Sequence, residues 1–431
     1  MTDDPMEGGE VLVKDGRIAG VGTNISDGLP DEPVTDLGHS AILPGFVNLH
    51  THLDYTVVRG LVDDKPFFPW IRRLTEIGIL LDYDDFLASA RLGALQLVRS
   101  GVTTVADSSF SGAAVEAITE AGLSGAVFQE TFGSDPSKDY SDQVDQLSDR
   151  IRELQSKTGD RLKVGVSPHS VYTASERLLR KIVDIASDME LPIAMHVAET
   201  VDESEFVELG EGPIAEFYRS LGYDIQLRHK TPVAYLHDLG ILGKKTIAAH
   251  CVNLSEADIA LLAEHETRIA HCPKSNAKLA VGVCPLDRIV SNGIVTGIGT
   301  DSAVSCNSMD MFEEMRFGVL RQRNATGKVD AMNAARILEL ATLGGATALG
   351  LDAEIGTIET GKRADMVVVD LSSPAAFPSP DPYSAIVYSC SASDVLLTII
   401  DGHEVYNRGN YSRVDASEVY RAASIAAAKL P

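Results

Sequence analysis

From about residue 46 to residue 320 the chain alternates short β-branched runs with longer segments of helical period. Sustained alternation of this kind leaves little choice of architecture. Each helix carries the chain back to the start of the next strand, so the strands run parallel. The strand candidates are FVNLH (46–50), VTTVA (102–106), SGAVF (124–128), LKVGVS (162–167), PIAMH (192–196), TIAAH (246–250), TRIAH (267–271) and IVTGIG (294–299). Between them, DDFLASARLGALQLVRSG has apolar residues at helical spacing and stops at Gly101, while SEADIALLAEH opens on Ser255, a favourable N-cap. Eight parallel strands, each followed by a helix, make the count of a closed (β/α)8 TIM barrel in the α/β class rather than of an open sheet.

The two ends read differently. EVLVKDGRIAGVG (10–22) is a strand, a DG turn and a strand, and LLTIIDGHEVYNRG (396–409) gives further short strands after GTIETGKRADMVVVDL (356–371). Neither end can bury a core alone. Residues 1–44 and 362–431 are therefore expected to join into one small β-sandwich domain, with residues 45–361 forming the barrel. SSPAAFPSPDPYS (372–384) reads as a loop within the small domain.

Composition removes several function classes. With 37 Lys and Arg against 62 Asp and Glu, the net charge is −25. Such a surface lacks what nucleic-acid phosphates or anionic membranes require. Cys251, Cys272, Cys284, Cys306 and Cys390 form no C-x-x-C pair, which argues against a disulfide framework or a thiolate metal site. The opening MTDDPMEGGE lacks the basic and apolar regions of a leader, and no apolar run approaches the ~18 residues of a membrane span. A soluble, cytoplasmic protein is expected.

Polar residues then fall in register with the strands. His50, His196, His250 and His271 end the first, fifth, sixth and seventh candidates, and Asp301 follows the eighth in GIGTDSA. Strand C-termini share one rim, where barrels carry their chemistry. A lone histidine at a strand end is as often packed as functional, and that bland reading competes for His271. His50-x-His52 is different, because residues i and i+2 of a strand point the same way and both imidazoles can reach one metal. With His196 and Asp301 they offer three nitrogens and a carboxylate oxygen, a set suited to Zn2+ or Fe2+ and poor for Ca2+. Glu199, three residues past His196, is generally read as a solvated loop carboxylate. Here it stands beside the ligand set, where a hydrolytic site needs a carboxylate that moves protons without binding the metal.

At these residues the chain resembles the amidohydrolase superfamily, in its branch of nucleoside and heterocycle deaminases and chlorotriazine hydrolases. The segments that carry the resemblance run nearly end to end: VKDGRIAGVG, ILPGFVNLHTHLDYTVVRG, GVTTVAD, GVSPHSVYTAS, MHVAET, AAHCVNL, AHCPKSNAKL, GIGTDSAVSCNSMDMFEEMR and GTIETGKRADMVVVD. The resemblance implies His50, His52, His196 and Asp301 as metal ligands, Glu199 as proton shuttle, and His250 as a non-ligand that orients water or polarises the substrate. It also implies substrate contacts from His169 and from Asn276 in the CPKSNAKL loop. Phe67, Phe68 and Trp70 are candidates to stack on a planar heterocycle, with ordinary packing the competing reading. Two-metal relatives bridge their ions with a carboxylated Lys at the end of strand four. Here Lys163 stands at that strand's start, which implies one metal per chain, zinc by preference. A homodimer or higher homo-oligomer is implied as well.

Two departures bear on the substrate. Nucleoside deaminases of the branch carry a Glu just before the Trp in the loop after strand one, to grip ribose hydroxyls, whereas this chain reads KPFFPW with Pro69 before Trp70. Segment 210–240 is long for a strand-to-helix connection and resembles the extended loop of deaminases proposed to act on aminodeoxyfutalosine. The implied reaction is hydrolytic deamination, with release of ammonia, of an adenine nucleoside of aminodeoxyfutalosine, deoxyadenosine, methylthioadenosine or adenosylhomocysteine type. A metal supplies hydroxide at neutral pH by lowering the pKa of water from about 15.7 towards ~7, and Glu199, His250 and Asp301 handle protons and charge around it. The rivals are a chlorohydrolase or a deaminase of triazines, pterins or pyrimidines. A dihydroorotase type is disfavoured by the missing Lys, and a non-enzymatic assembly protein on this fold by the retention of every ligand.

Overall fold

Eight parallel strands neighbour one another strictly in chain order in the computed structural model, which describes residues 4–29 and 33–431. Residues 1–3 and 30–32, part of the N-terminal piece expected in the small β domain, lie outside the described residues. The chain begins with β1 (Glu10–Lys14), β2 (Arg17–Gly22) and β3 (Ser40–Pro44). The barrel strands follow as β4 (Phe46–Thr51), β5 (Val102–Ser109), β6 (Ser124–Thr131), β7 (Leu162–Pro168), β8 (Ile193–Val197), β9 (Thr246–His250), β10 (Arg268–His271) and β11 (Thr296–Ile298). The tail adds β12 (Met366–Asp370), β13 (Val395–Ile400), β14 (His403–Asn407) and β15 (Asn410–Tyr411).

The ring closes between β4 and the residues just after β11. The Asp301 N–H donates to the His50 carbonyl at 2.9 Å. The Asn48 side chain donates to Thr300 Oγ1 at 2.8 Å and accepts from the Thr300 N–H at 3.0 Å. Gly299 permits this approach, since a Cβ there would lie 2.9 Å from both the backbone N and O of His50. Closure thus fixes His50 and Asp301 against each other.

Inside the barrel, Leu49, Phe128 and Ile247 interleave with Ala106, Ala126, Ala194, Ala249 and Ala270, all buried. Large and small residues fill the narrow interior together, so it is a packed core and the polar chemistry is confined to the rim. The surrounding helices are capped as the sequence implies. Ser255 and Asp258 form a capping box at the start of Glu256–Glu264, and Asp82 with Asp85 does the same for Tyr83–Arg99.

A second sheet, antiparallel, runs β15-β14-β13-β12-β3. In it β3 pairs with β12 from Ser40↔Asp370 to Pro44↔Met366, so the two chain ends share one sheet. The β1–β2 hairpin lies on that sheet through Ile18, Ile42, Ala364, Met366 and Ile399. This is the small sandwich expected from sequence. Arg161, just before β7, ties it to the barrel: its guanidinium lies 3.0 Å from the buried Asp365 carboxylate. The helix Ala416–Ala427 was not anticipated, and after it Lys429 Nζ donates to Asp85 of the barrel at 2.7 Å. All five cysteines are buried and free. Among the described residues, no helix is long and apolar enough to cross a membrane.

Candidate active site and metal centre

The strand ends bring His50, His52, His196, His250 and Asp301 to one rim, each no more than 6% exposed. His52 Nε2 and His196 Nε2 are 3.2 Å apart. Asp301 Oδ1 lies 3.6 Å from His50 Nε2 and 3.6 Å from His52 Nε2. Ligand-capable atoms of His50, His52 and Asp301 all fall within 4.8 Å of one another, as do those of His50, His196 and His250. Buried Nε2 atoms of His50 and His250 find no hydrogen-bond partner. Several imidazole nitrogens converging without enough protons to share, beside a carboxylate, fit a divalent cation of the zinc or ferrous type.

The groups behind the rim set the orientation of these atoms. His196 Nδ1 lies 2.8 Å from the His169 carbonyl, so the proton sits there and the Nε2 lone pair points inward. His250 Nδ1 is held in the same way, 2.8 Å from Asn276 Oδ1. Asp301 Oδ2 accepts from the Ser275 and Ser305 hydroxyls, each at 2.6 Å, which leaves Oδ1 for the centre. Burial pushes the Asp301 carboxyl up, but the neighbouring His250, His50 and His52 rings outweigh it and hold the group well below the usual range. Desolvation lowers His52 to about 4, so its imidazole is neutral and available as a ligand. Replacing Ser275 and Ser305 together by alanine is expected to free Asp301 to rotate. Zinc affinity, measured by chelator competition, should fall roughly 10–100-fold, the scale for lost partners of metal ligands.

Glu199 is 4% exposed, with Oε1 3.7 Å from His250 Nε2. Burial pushes its carboxyl up to about 8, against the pull of His196. Its own position is fixed by Glu203, whose two oxygens accept the Ala198 N–H at 3.0 Å and the Glu199 N–H at 2.8 Å. Around it the backbone is strained: Ala198, His250 and Asp301 have φ of 50°, 71° and 60° without being glycine. Each such residue costs about 1–3 kcal/mol and persists where the surroundings over-determine it, here through the bonds just described.

A cavity of about 880 Å³ opens above these residues, with His52, His196, Glu199, His250 and Asp301 in its wall. The rest is rich in aromatic side chains, including Phe67, Phe68, Trp70, Phe132, Tyr172 and Phe217. Trp70 stacks with Phe67, ring centres 6.2 Å apart, and its buried Nε1 has no partner. His169 lines the cavity with Nδ1 2.9 Å from Thr173 Oγ1. The long 210–240 segment folds into helices Gly212–Ser220 and Pro232–Asp238, and the first delivers Phe217 and Tyr218 to the wall.

Two residues are placed elsewhere. Asn276 is 2% exposed and sits behind His250, outside the cavity wall. His271 is buried with both ring nitrogens unpartnered, desolvation lowers it to about 3, and it joins none of the convergent groups. Sequence reasoning missed Glu203, Ser275, Ser305 and Glu130, a buried carboxyl in the cavity wall. Of these, only Glu203 leaves a local signal. Thr200 caps the helix Val201–Leu209 by accepting from the Glu203 N–H, the spacing of a capping box, but the glutamate reaches past the cap to Ala198 and Glu199.

Residues 41–405 match the amidohydrolase family. The 5′-deoxyadenosine deaminase of Methanothermobacter thermautotrophicus is 36% identical over 424 residues, covering 98% of this chain and 95% of that protein. The 5-methylthioadenosine/S-adenosylhomocysteine deaminase of Moorella thermoacetica is 34% identical over 418 residues, covering 96% of this chain and 93% of that one. Among solved structures, an adenosine deaminase from Xanthomonas campestris with bound zinc superposes with a TM-score of 0.85 at 28% identity, covering 98% of this chain and 93% of the other.

Proposed function

The chain belongs to the amidohydrolase family, and from that premise we propose that it is a metal-dependent hydrolytic deaminase of a 6-aminopurine nucleoside whose ribosyl group is bulky or modified. Deoxyadenosine, thioadenosine and aminodeoxyfutalosine types are the substrates preferred over a free base. The observation that carries this reading is the position of Glu199: a buried carboxyl outside the ligand set, 3.7 Å from His250, at the metal end of an aromatic cavity. The names of the most similar relatives support the same class.

In this reading His50, His52, His196 and Asp301 would hold one divalent metal, zinc by preference, the ion bound in the Xanthomonas deaminase structure. When bound, the metal supplies Lewis acidity, which makes water nucleophilic at neutral pH. Glu199 accepts a proton from the attacking water and delivers it to the ring nitrogen beside the amino-bearing carbon. His250 steadies the charge that develops on the oxygen added at that carbon, and Asp301 takes the remaining proton towards the leaving amine. Water and aminopurine give oxopurine and ammonia, so the balance closes. Trp70 and Phe67 cover the base, and His169 meets its edge. The cytoplasmic setting, read from the unpaired cysteines, and a homodimer or higher homo-oligomer, from the family resemblance, belong to the same reading.

The test is a panel of zinc-loaded assays following ammonia and the adenine absorbance. Turnover of 5′-substituted or deoxy adenine nucleosides is the expected result, with adenine itself slower. Turnover of pterins, cytosine or s-triazines without that of any adenine nucleoside would overturn the substrate class and leave the metal chemistry standing.

A further inference from the structure

Glu130, the seventh residue of β6, belongs neither to the ligand set nor to the proton transfers given to Glu199. It is 5% exposed, and its Oε1 has no hydrogen-bond partner. Facing it at 3.9 Å is His52 Nδ1, buried and without a partner at full hydrogen-bond geometry, although the Ser108 backbone also approaches this ring. One acceptor and one donor, both removed from water, stand opposite each other across a gap that a shift of about 1 Å turns into a hydrogen bond.

The other side of the same ring explains why that bond matters. His52 Nε2 points at His196 Nε2, 3.2 Å away, and at Asp301 Oδ1, 3.6 Å away. It can offer a lone pair there only if the proton resides on Nδ1, and an acceptor beside Nδ1 is what fixes that tautomer. His196 has the His169 carbonyl for this purpose, and His250 has Asn276. We propose that Glu130 is the positioning residue of His52: its carboxyl oxygen accepts a hydrogen bond from the Nδ1–H and so sets the tautomer and ring angle with which Nε2 would meet the metal. The inference rests on the metal-dependent reading above, and adds a carboxylate–histidine couple to it.

Two rival arrangements are built into the same corner. Glu130 lines the cavity and offers an oxygen within 4.8 Å of ligand-capable atoms of His169 and His196, so it could instead touch the substrate. The Ser108 backbone also approaches His52 and could serve as the acceptor. The experiment compares full-length wild type, E130A and E130Q by chelator competition for zinc, by the visible absorption of the cobalt-substituted protein, and by kcat and KM at saturating zinc. The expected result is a ~10–100-fold loss of zinc affinity in E130A with a moved cobalt band, and KM held within about twofold. E130Q, whose amide oxygen still accepts from Nδ1, should recover part of the affinity. Unchanged affinity and cobalt spectrum with KM raised tenfold or more would overturn the proposal in favour of substrate contact. Unchanged values throughout would overturn it in favour of Ser108. Should E130A not fold, E130M, close to Glu in size but without an acceptor, takes its place, and a cobalt band identical to wild type in that variant contradicts the couple. The outcome is separable from the functional reading, since wild type that binds zinc without deaminating any adenine nucleoside fails that reading while the affinities and spectra are still measured.

Discussion

Replacing His196 by alanine is expected to abolish metal binding and turnover together, with the loss in turnover at least ~1,000-fold. The reason lies in the convergence at the rim. His196 Nε2 is 3.2 Å from His52 Nε2, and His196 is held from behind by the His169 carbonyl at 2.8 Å, so its lone pair is committed to the centre. Without it three of the proposed ligands remain, two of them on the same short stretch, His50-x-His52. Free water, with a pKa of about 15.7 against ~7 when activated, then supplies hydroxide at a concentration lower by many orders of magnitude. The check is metal analysis alongside activity and a thermal melt. Retained folding with less than a tenth of the metal agrees with this account. A protein that keeps its metal and its rate without His196 contradicts it, as would two ions per active chain in the wild type.

Glu199→Gln separates proton transfer from metal binding. The amide has nearly the shape of the carboxyl, and the Glu203 bonds that hold the turn go to backbone N–H groups of Ala198 and Glu199, so the variant should fold and keep its metal. What it loses is a group able to accept a proton and return it. A fall of at least ~100-fold in kcat is expected, with zinc content unchanged, the usual scale for general acid–base work. Glu199 is the group to test because it is a buried carboxyl outside the ligand set, 3.7 Å from His250. Near-normal kcat in this variant would move the shuttle elsewhere, with Asp301 next in line.

The barrel was legible because its strands carry two signals at once: a β-branched run and a polar residue at its end. FVNLH and TIAAH were read almost to the residue, as β4 (Phe46–Thr51) and β9 (Thr246–His250). Where the strand continues as polar residues, the reading stopped short. The β-branched pattern of SGAVF ends at Phe128, but β6 runs on to Thr131 because Gln129, Glu130 and Thr131 are buried against neighbouring strand ends. Polar residues on a barrel rim look like loop in sequence and pair like strand in space. That truncation is why Glu130 went unnoticed. VTTVA was shortened in the same way, since β5 extends through Ser109.

Residues that act through others were the least legible part of the site. Ser275 and Ser305 both donate to Asp301, though one lies 26 residues before it and the other four after. Nothing in the local pattern pairs them. Asn276 shows the converse: it belongs to a segment tied to substrate contacts by resemblance, yet its carbonyl oxygen is engaged by His250. The C-terminal helix was hidden for a different reason. Val419, Ala423 and Ala426 are its buried residues, a narrow apolar stripe that reads weakly without the barrel helix it packs on.

The central claim is hydrolytic removal of the amino group from an adenine nucleoside, and it is tested most directly by one isotope experiment. Zinc-loaded enzyme is incubated with 5′-deoxyadenosine in ¹⁸O-enriched water, and the product is weighed by mass spectrometry while ammonia is counted. The account expects one ammonia released and one ¹⁸O gained per purine consumed, with neither in the metal-stripped protein and both restored on adding zinc. Intact nucleoside after prolonged incubation with metal-loaded, folded enzyme, repeated for a methylthio-substituted and a bulky 5′-substituted adenosine, would contradict it.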